Sequence, residues 1–351
     1  MTRRVSATAA KFRDLLTGTR GLRLSCGGGQ RFLLFLALLL GLSAVPAAVV
    51  FDTTSPYHHI QVVDQAGLRI LSFDGSQETR LSLAHPLTGH FEYTEFFHLP
   101  WLWNTNLQRV LMIGLGGGST QRAYQHYYRD VLVDTAELDP TVVQVAARYF
   151  GVTNSRTHTI HVEDGRVFLR RAGQHYDAII LDAYRSTRYG SFIPYHLTTK
   201  EFFQLAKDHL TTNGVVACNV IGSVRGFRAD LLGAVHKTLK SVFPHVYVFP
   251  ASESQNVVLI ATKSPVRLNR PALLQIASRR VAQGHARLPA FYMRAAAFVE
   301  GQPGTAAHAP ILTDDRAPID GLLSATGSLK ARGPTNTLAA PASVAPRRNL
   351  P

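Results

Sequence analysis

The chain has 351 residues, 46% of them hydrophobic, which is enough for one large domain or two small ones with a sizeable core. Its formal net charge is +14, but residues 1–50 supply +6 (seven Arg or Lys against one Asp) and residues 324–351 supply +4 (four Arg or Lys and no acid), which leaves about +4 for the middle. Because the excess charge lies at the two ends, with no basic stripe interleaved with aromatic residues, the sequence does not favour nucleic-acid binding. Two cysteines exclude a disulfide framework and a multi-cysteine metal site, and we predict no metal.

The first predicted element is a membrane anchor. A basic segment (1–31) precedes residues 32–51, which carry no charge and are long enough to span a bilayer as a helix. The basic residues before the apolar run predict a single-pass anchor in the cell membrane with its N-terminus in the cytoplasm. A cleaved signal peptide is the alternative, because AVPAA resembles a small-residue cleavage site. Either interpretation places the main domain outside the cytoplasm.

Residues 55–104 are predicted to form a small β-rich unit. The segments HIQVVD and LRILSFDG alternate or run apolar, with turn residues at Gly67 and at Asp74-Gly75. The aromatic-rich segment GHFEYTEFFHLPWLW follows and is predicted to be helical toward its end.

Residues 105–265 alternate between strand-like and helix-like patterns. The predicted strands are 109–114, 130–138, 158–162, 176–183, 214–221, 245–249 and 256–262, and the predicted helices are 119–128, 140–150, 166–172, 198–211 and 229–243. Strongly apolar strands separated by amphipathic helices predict a doubly wound α/β sheet covered on both faces. No helix separates the last two strands, which predicts a terminal antiparallel hairpin, as in class I methyltransferase-like folds. Residues 266–323 are predicted to be a helical extension, and 324–351 a disordered Pro/Ala-rich tail.

A glycine-rich loop joins the first of these strands to a helix. Gly114, Gly116, Gly117 and Gly118 allow positive φ and a close approach of backbone amides to a ligand at a helix N-terminus. The spacing differs from a dinucleotide fingerprint, because residue 119 is serine, and from a P-loop, because no Gly-Lys-Ser/Thr follows. We interpret the loop as a cofactor-binding element; a purely structural turn is the alternative.

Two acids at strand ends point to an adenosine-bearing ligand. Glu137 lies about twenty residues beyond the glycine loop, where a carboxylate can accept hydrogen bonds from ribose hydroxyls. Asp164 ends the third strand and is placed to accept from an adenine amino group, or else to cap the helix that follows. Asp139, before Pro140, is predicted to be a helix N-cap.

Asp182 ends the fourth strand, YDAIILDA, beside the same predicted crevice. A carboxylate there can hold an amine, or take its proton so that the nitrogen lone pair attacks an electrophilic carbon. The alternative is a helix cap or an ion pair with Arg185 or Arg188. We predict Asp182 as the catalytic residue.

At these residues the chain resembles the polyamine aminopropyltransferase (spermidine synthase) family, in its divergent, membrane-linked bacterial branch. The similarity covers about residues 55–265, through VLMIGLGGG, AELDP, VEDGRVFL, YDAIILDAY and LTTKEFFQLAKDHLTTNGVVACNV. FEYTEFFHLP resembles the family's tyrosine-bearing segment, and DGSQ resembles its Asp-Gly…Gln strand end, which adds Gln77 to the expected cofactor-binding residues. IPYHLTTKEFF and ILTDDRAPID resemble the divergent branch.

The resemblance implies aminopropyl transfer from decarboxylated S-adenosylmethionine to a small-molecule amine, without a metal. It implies that Glu137 binds ribose, that Asp164 binds adenine and that Asp182 helps to deprotonate the amine. Tyr93 and Tyr184 are the expected substrate-binding residues. It also implies a homodimer formed through the N-terminal β unit.

Two family acids are missing from this sequence. The aspartate of the family's Gly-Gly-Gly-Asp-Gly-Gly loop aligns with Gly117, and the second acid of its Asp-x-x-Asp motif falls on Arg185. A cation at that place repels a diamine by on the order of 1 kcal/mol, and Tyr93, Tyr184 or Glu95 are the candidates to compensate. Two alternatives stay open: a methyltransferase that uses S-adenosylmethionine on the same fold, and a non-catalytic, membrane-tethered ligand-binding protein.

Overall fold

A computed structural model of the chain describes residues 47–187, 190–319 and 322. The described chain begins with a four-stranded antiparallel sheet in sequence order: β1 (Ala48–Thr54), β2 (His59–Gln65), β3 (Leu68–Phe73) and β4 (Ser76–Ser82). The predicted turns are confirmed, because Ala66-Gly67 and Asp74-Gly75 both have positive φ, as tight two-residue hairpins require.

The sheet corrects two predicted boundaries. It begins at Ala48 rather than at residue 55, and Ala48 and Phe51 pair with Asp64 and Val62 of β2, so the predicted anchor does not continue as a helix to residue 51. The remainder of that anchor, 32–46, lies outside the described residues. Within the ranges that the structure describes, no helix has both the length and the apolar character needed to cross a bilayer.

A 3₁₀ helix, Glu92–Leu102, follows the sheet and confirms the predicted helical segment. Its aromatic side chains Phe96 and Phe97 are completely buried. They pack with apolar residues of the main sheet in one continuous core cluster, which fixes this helix beside the predicted crevice.

The main domain is a seven-stranded sheet with the order β12-β13-β11-β8-β5-β6-β7. In chain order, the strands of this part of the molecule are β5 (Arg109–Ile113), β6 (Leu132–Glu137), β7 (His158–Val162), β8 (Tyr176–Leu181), β9 (Arg185–Thr187), β10 (Gly190–Phe192), β11 (Leu210–Ile221), β12 (His245–Pro250) and β13 (Asn256–Thr262). Within the seven-stranded sheet, β7, β6, β5, β8 and β11 pair in parallel, and β13 runs antiparallel to both β11 and β12. β9 and β10 form a separate antiparallel hairpin. The doubly wound sheet and its terminal hairpin are therefore confirmed.

Helices cover both faces of this sheet. They are α1 (Ser119–Tyr127), α2 (Pro140–Phe150), α3 (Gly165–Arg171), α4 (Lys200–Asp208), α5 (Ala229–Val242), α6 (Arg270–Ala282) and α7 (Phe291–Ala296). The last two, with a short 3₁₀ helix at Gly304–Ala307, form the predicted C-terminal helical extension as far as it is described. The predicted tail, 324–351, lies outside the described residues.

Two features of the region after β8 differ from the prediction. The helix predicted over 198–211 ends at Asp208, because Leu210 already pairs with Tyr176 of β8. The short hairpin of β9 and β10 had no counterpart among the predicted strands, since its three-residue strands are too short to show a period of two.

The N-terminal sheet packs against α2 and the glycine loop. Ile60, Val62 and Leu71 form a buried cluster with Val142 and Val145. Thr79 of β4 accepts the N–H of Gly117 in the glycine loop, so the N-terminal sheet lies beside the predicted crevice.

Candidate active site

The glycine loop divides into a ligand-facing part and a packing part. Gly114 has φ 101°, and a Cβ there would overlap the carbonyl oxygen of Asp182, so only glycine lets the ends of β5 and β8 come this close. Gly114 and Gly116 line the cavity described below. Gly117 and Gly118 do not: a Cβ at Gly117 would lie 2.6 Å from the Thr79 side chain, and one at Gly118 would lie 2.7 Å from that of Val152. These two glycines therefore allow close packing in this structure, and their role as cofactor-binding residues stays a prediction.

Glu137 lies at the end of β6, as predicted, and faces the glycine loop. Its Oε2 accepts the Leu115 N–H at 3.0 Å, and its Oε1 accepts the Asp139 N–H at 2.9 Å. Burial raises the pKa of Glu137 although these amides act to lower it. The carboxylate is therefore held rigidly by backbone amides.

Asp139 caps α2 by accepting from Thr141 at 2.8 Å, which confirms its predicted role.

Asp164 both caps a helix and faces the cavity. Its Oδ1 accepts the N–H groups of Arg166 and Val167 at 3.0 and 2.9 Å, and its Oδ2 lies 2.8 Å from Nε2 of His196. Burial acts to raise the pKa of Asp164, but the His196 ring and the two amides outweigh it, so that the pKa lies below its usual value. The helix-cap interpretation is confirmed, and the carboxylate also lines the cavity where the adenine interpretation needs it.

Asp182 follows β8 at the centre of the crevice. Its N–H donates to the Ile113 carbonyl at 2.9 Å, which fixes the backbone at the end of the sheet. Its side chain accepts from the Asn219 amide at 3.0 Å and from the Tyr93 hydroxyl at 3.3 Å. Burial, helped by the nearby Glu78 carboxylate, raises the pKa of Asp182 to about 6 despite these two donors. A carboxylate with this pKa is ionised at neutral pH and is still a competent proton acceptor.

The two predicted substrate-binding tyrosines have different surroundings. The hydroxyl of Tyr93 points at Asp182, and burial raises its pKa well above the usual value. The hydroxyl of Tyr184 donates to the Asn219 carbonyl at 2.8 Å and accepts the Ile221 N–H at 3.1 Å. Both residues line the cavity. The hydroxyl of Tyr184, however, is already hydrogen-bonded to backbone groups at the end of β11.

Because of a β-bulge in β4, the residue that lies in the cavity wall is Glu78 and not the predicted Gln77. Ser72 pairs with Gln77 whereas Leu71 pairs with Thr79, so that Glu78 is the extra residue of β4. A bulge redirects the side chains of the strand that contains it. Consequently Gln77 is exposed and does not line the cavity, whereas Glu78 and Thr79 do line it. The role of Gln77 in cofactor binding stays a prediction that this geometry does not favour. Ser191 donates to Glu78 at 3.1 Å, and Thr79 accepts the Gly117 N–H at 2.9 Å.

Of the other two charged residues considered for the predicted site, Arg185 lines the cavity and Glu95 does not. Arg185 is exposed at the mouth of the cavity and lines it, whereas Arg188 lies outside the described residues. Glu95 does not reach the cavity, because it pairs with Arg294 at 2.6 Å and with His90 at 3.0 Å. The suggestion that Glu95 compensates for a missing acid is therefore wrong.

Together these residues enclose a cavity of about 440 Å³ at the carboxyl ends of the strands. Its described lining contains five carboxylates and one arginine: Glu78, Glu137, Asp139, Asp164, Asp182 and Arg185. Such a wall favours positively charged ligand groups. Within the described ranges, no three His, Cys, Asp or Glu side chains are grouped so that they could hold a metal ion.

Sequence reasoning missed three polar residues of this site. Asn219 orients Asp182 from β11, and its own Oδ1 accepts from Asn256 at 3.0 Å. The only sequence signal for it is a polar residue within the apolar run VVACNVI. His196 and Glu78 carry no local signal, because one follows an unpredicted hairpin and the other depends on a bulge.

Fold and crevice define the class of protein: a class I methyltransferase-like α/β fold with an acid-lined cavity at the strand ends. A family model described as "Spermine/spermidine synthase domain" matches residues 90–262. The chain is 32% identical over 253 residues to a "Polyamine aminopropyltransferase" of Vibrio vulnificus, a match that covers 70% of this chain and 81% of that protein. The chain belongs to this polyamine aminopropyltransferase family of transferases.

One further curated protein and one solved structure are also similar to this chain. The chain is 30% identical over 176 residues to the "eEF1A lysine and N-terminal methyltransferase" of Bos taurus; the match covers 48% of this chain but only 25% of that protein. A crystal structure of a probable spermidine synthase from Corynebacterium glutamicum superimposes with a TM-score of 0.56 at 18% identity, covering 67% of this chain and 88% of that chain. This second likeness supports the fold.

Proposed function

We propose that the protein transfers an aminopropyl group from an S-adenosyl-type cosubstrate to an amine acceptor. The observation that carries the proposal is Asp182: a carboxylate of pKa about 6, oriented by Tyr93 and Asn219, in the centre of an acidic cavity. The cosubstrate is decarboxylated S-adenosylmethionine, with its ribose at Glu137 and its adenine toward Asp164.

In the reaction, Asp182 takes a proton from the attacking ammonium group. The nitrogen lone pair then forms a bond to the aminopropyl carbon next to the sulfonium, and the carbon–sulfur bond breaks with its electron pair passing to sulfur. The products are the alkylated amine and a neutral thioether nucleoside. The sulfonium is already a good leaving group, so that proton removal and positioning are the tasks left to the protein.

The acidic wall supports a cationic acceptor even though Gly117 and Arg185 replace two family acids. Glu78 adds a carboxylate near Asp182 and Tyr93, close enough to raise the pKa values of both. Positive charge on the acceptor therefore meets two carboxylates on this side of the cavity. The cation Arg185 lies at the mouth, where solvent screens it.

Methyl transfer from intact S-adenosylmethionine is the second candidate. Arg185 favours it, because a cation that lines the cavity can pair with the methionine carboxylate, which decarboxylated S-adenosylmethionine lacks.

Turnover of the purified full chain with each cosubstrate, analysed by mass spectrometry of a diamine acceptor, distinguishes the two. We expect a gain of one aminopropyl group; a gain of one methyl group would establish the second candidate. Asp182→Asn should lower kcat by about 10²–10⁴-fold, whereas Asp130→Asn, on an exposed turn, should not change it. Unchanged turnover of Asp182→Asn would remove Asp182 from the base role, and failure to bind either cosubstrate would favour a non-catalytic role.

We further propose that residues 32–46 are the apolar part of a membrane anchor that holds the protein at the cell membrane. The basis is their uncharged, apolar sequence after a basic segment. Membrane fractionation with carbonate extraction tests the anchor, and protease accessibility in intact cells tests its orientation. Release of the full chain by carbonate would contradict the anchor.

A further inference from the structure

We propose that Asp314 is a positioning residue for the nucleoside end of the cavity and that it acts through Arg166. Asp314 belongs to the segment after the last described helices and lies about 150 residues beyond Asp164 in the chain. The inference rests on the proposed function, because it concerns how the adenosine group of the cosubstrate is held.

Three residues form a closed ring of hydrogen bonds in the cavity wall. The backbone N–H of Arg166 donates to Asp164 at 3.0 Å, and Nη1 of Arg166 donates to the His196 carbonyl at 3.0 Å. Nε2 of His196 closes the ring at 2.8 Å from the second oxygen of Asp164. Both Asp164 and His196 line the cavity, and the Arg166 side chain helps to hold His196 in place relative to Asp164.

Asp314 holds the guanidinium group of Arg166 through two hydrogen bonds. Its two oxygens accept from Nη1 and Nη2 of Arg166 at 2.7 and 2.6 Å, a bidentate pair in which the Arg166 side chain is 13% exposed. The Thr199 hydroxyl also donates to Asp314 at 2.7 Å and orients its carboxylate. Bidentate arginine–carboxylate pairs are charge-assisted and constrain the guanidinium plane.

The segment that carries Asp314 does not depend on this pair for its attachment. Leu312 is completely buried; its N–H donates to the Thr238 hydroxyl at 2.9 Å, and its carbonyl accepts the Lys200 N–H at 2.8 Å. The contribution of Asp314 therefore goes mainly into the orientation of Arg166. Without it, the guanidinium can leave the His196 carbonyl, and the ring loses its alignment.

This arrangement predicts an effect on nucleoside binding and not on the chemical step. Asp182 lies at the end of another strand and takes its partners from Tyr93 and Asn219, none of which contacts Asp314. A variant at Asp314 should therefore raise KM for the cosubstrate and leave kcat and its pH dependence unchanged.

Titration calorimetry with 5′-methylthioadenosine tests the proposal on the full chain. We expect Asp314→Asn to weaken binding about 5- to 10-fold, the loss that one ordinary hydrogen bond represents, because Asp314 acts through Arg166 and does not contact the nucleoside itself. Asp315→Asn is the matched control, because this neighbouring aspartate is also exposed; it should stay within about twofold of the wild type. The preference for 5′-methylthioadenosine over 5′-methylthioinosine, which differ at the purine 6-position, should fall as well.

Each outcome is decisive. Equal affinity and equal purine preference in Asp314→Asn and the wild type would overturn the positioning role while leaving the proposed function intact. A wild type that binds neither nucleoside would overturn both. Where thermal melting shows that Asp314→Asn does not fold, Arg166→Lys gives the second test, because a lysine keeps the charge but cannot hold Asp314 and His196 together. It should show the same loss of affinity, and wild-type affinity there would also refute the proposal.

Discussion

Asp182→Asn is expected to make the unliganded protein more stable at neutral pH, although it removes the proposed base. Burial and the Glu78 carboxylate raise the pKa of Asp182 from 3.8 to about 6. At pH values above 6, the ionised side chain therefore costs the folded state at most about 3 kcal/mol. Asparagine has the same shape without the charge, and its carbonyl still accepts from Asn219.

The pH dependence of the difference between the two proteins identifies the cause. Because the native state holds the Asp182 proton to higher pH than the unfolded chain does, wild-type stability decreases as pH rises from about 4 to about 6. The variant lacks this loss, so its advantage should grow by about 1–3 kcal/mol across that window and then level off. Groups that both proteins share, such as Glu137, cancel in the difference.

Urea unfolding of both proteins at pH 4, 5, 6, 7 and 8, without ligand, measures this difference. Asp130→Asn serves as the control for removing one exposed carboxylate and should show little change with pH. A stability difference that does not vary with pH, or that favours the wild type increasingly toward pH 8, would refute the assigned environment of Asp182.

Three other predictions test the surroundings of the site. Glu78→Gln should move the acid limb of the kcat/KM profile to lower pH, since its charge raises the pKa of Asp182; an unmoved limb would contradict this. Gly114→Ala should destabilise the fold by about 1–3 kcal/mol from backbone strain alone, and overlap with the Asp182 carbonyl should add to this loss. Gly173→Ala is the control, because a Cβ at Gly173 would meet no other atom, and it should be nearly neutral in thermal melts. Leu312→Ala should cost about 2–5 kcal/mol on urea unfolding, and the neighbouring Ile311→Ala, which is 40% exposed, far less; equal costs would contradict the burial of Leu312.

The acids at the strand ends could be found from the sequence because their positions follow from local pattern. Apolar runs ending in Glu137, Asp164 and Asp182 predict parallel strands, and the carboxyl ends of such strands meet at one edge of a doubly wound sheet. The cap at Asp139 is equally local, since it needs only a following proline and a helix. These residues lie together in the structure for that reason.

The cavity wall contains Glu78 where the sequence predicted Gln77, and this difference shows what a local sequence pattern cannot predict. A strict period of two cannot show a bulge, because the extra residue exists only relative to the pairing partner β3. The predicted end of the membrane anchor at residue 51 is wrong for a similar reason. An apolar run alone does not distinguish the end of a membrane helix from a strand, and only the pairing with β2 shows that this segment is a strand.

The amino-acid sequence by itself determined the doubly wound fold, the glycine loop and the three strand-end acids, because each depends on residues within one strand–loop–helix unit. Only the tertiary structure decided which side chains complete the site. Glu78 comes from the N-terminal sheet, Asn219 from β11, and Asp314 from the C-terminal segment, each brought in by packing between distant parts of the chain. The pKa of Asp182 is likewise a tertiary property, since it depends on the burial of this side chain and on Asn219, Tyr93 and Glu78 around it.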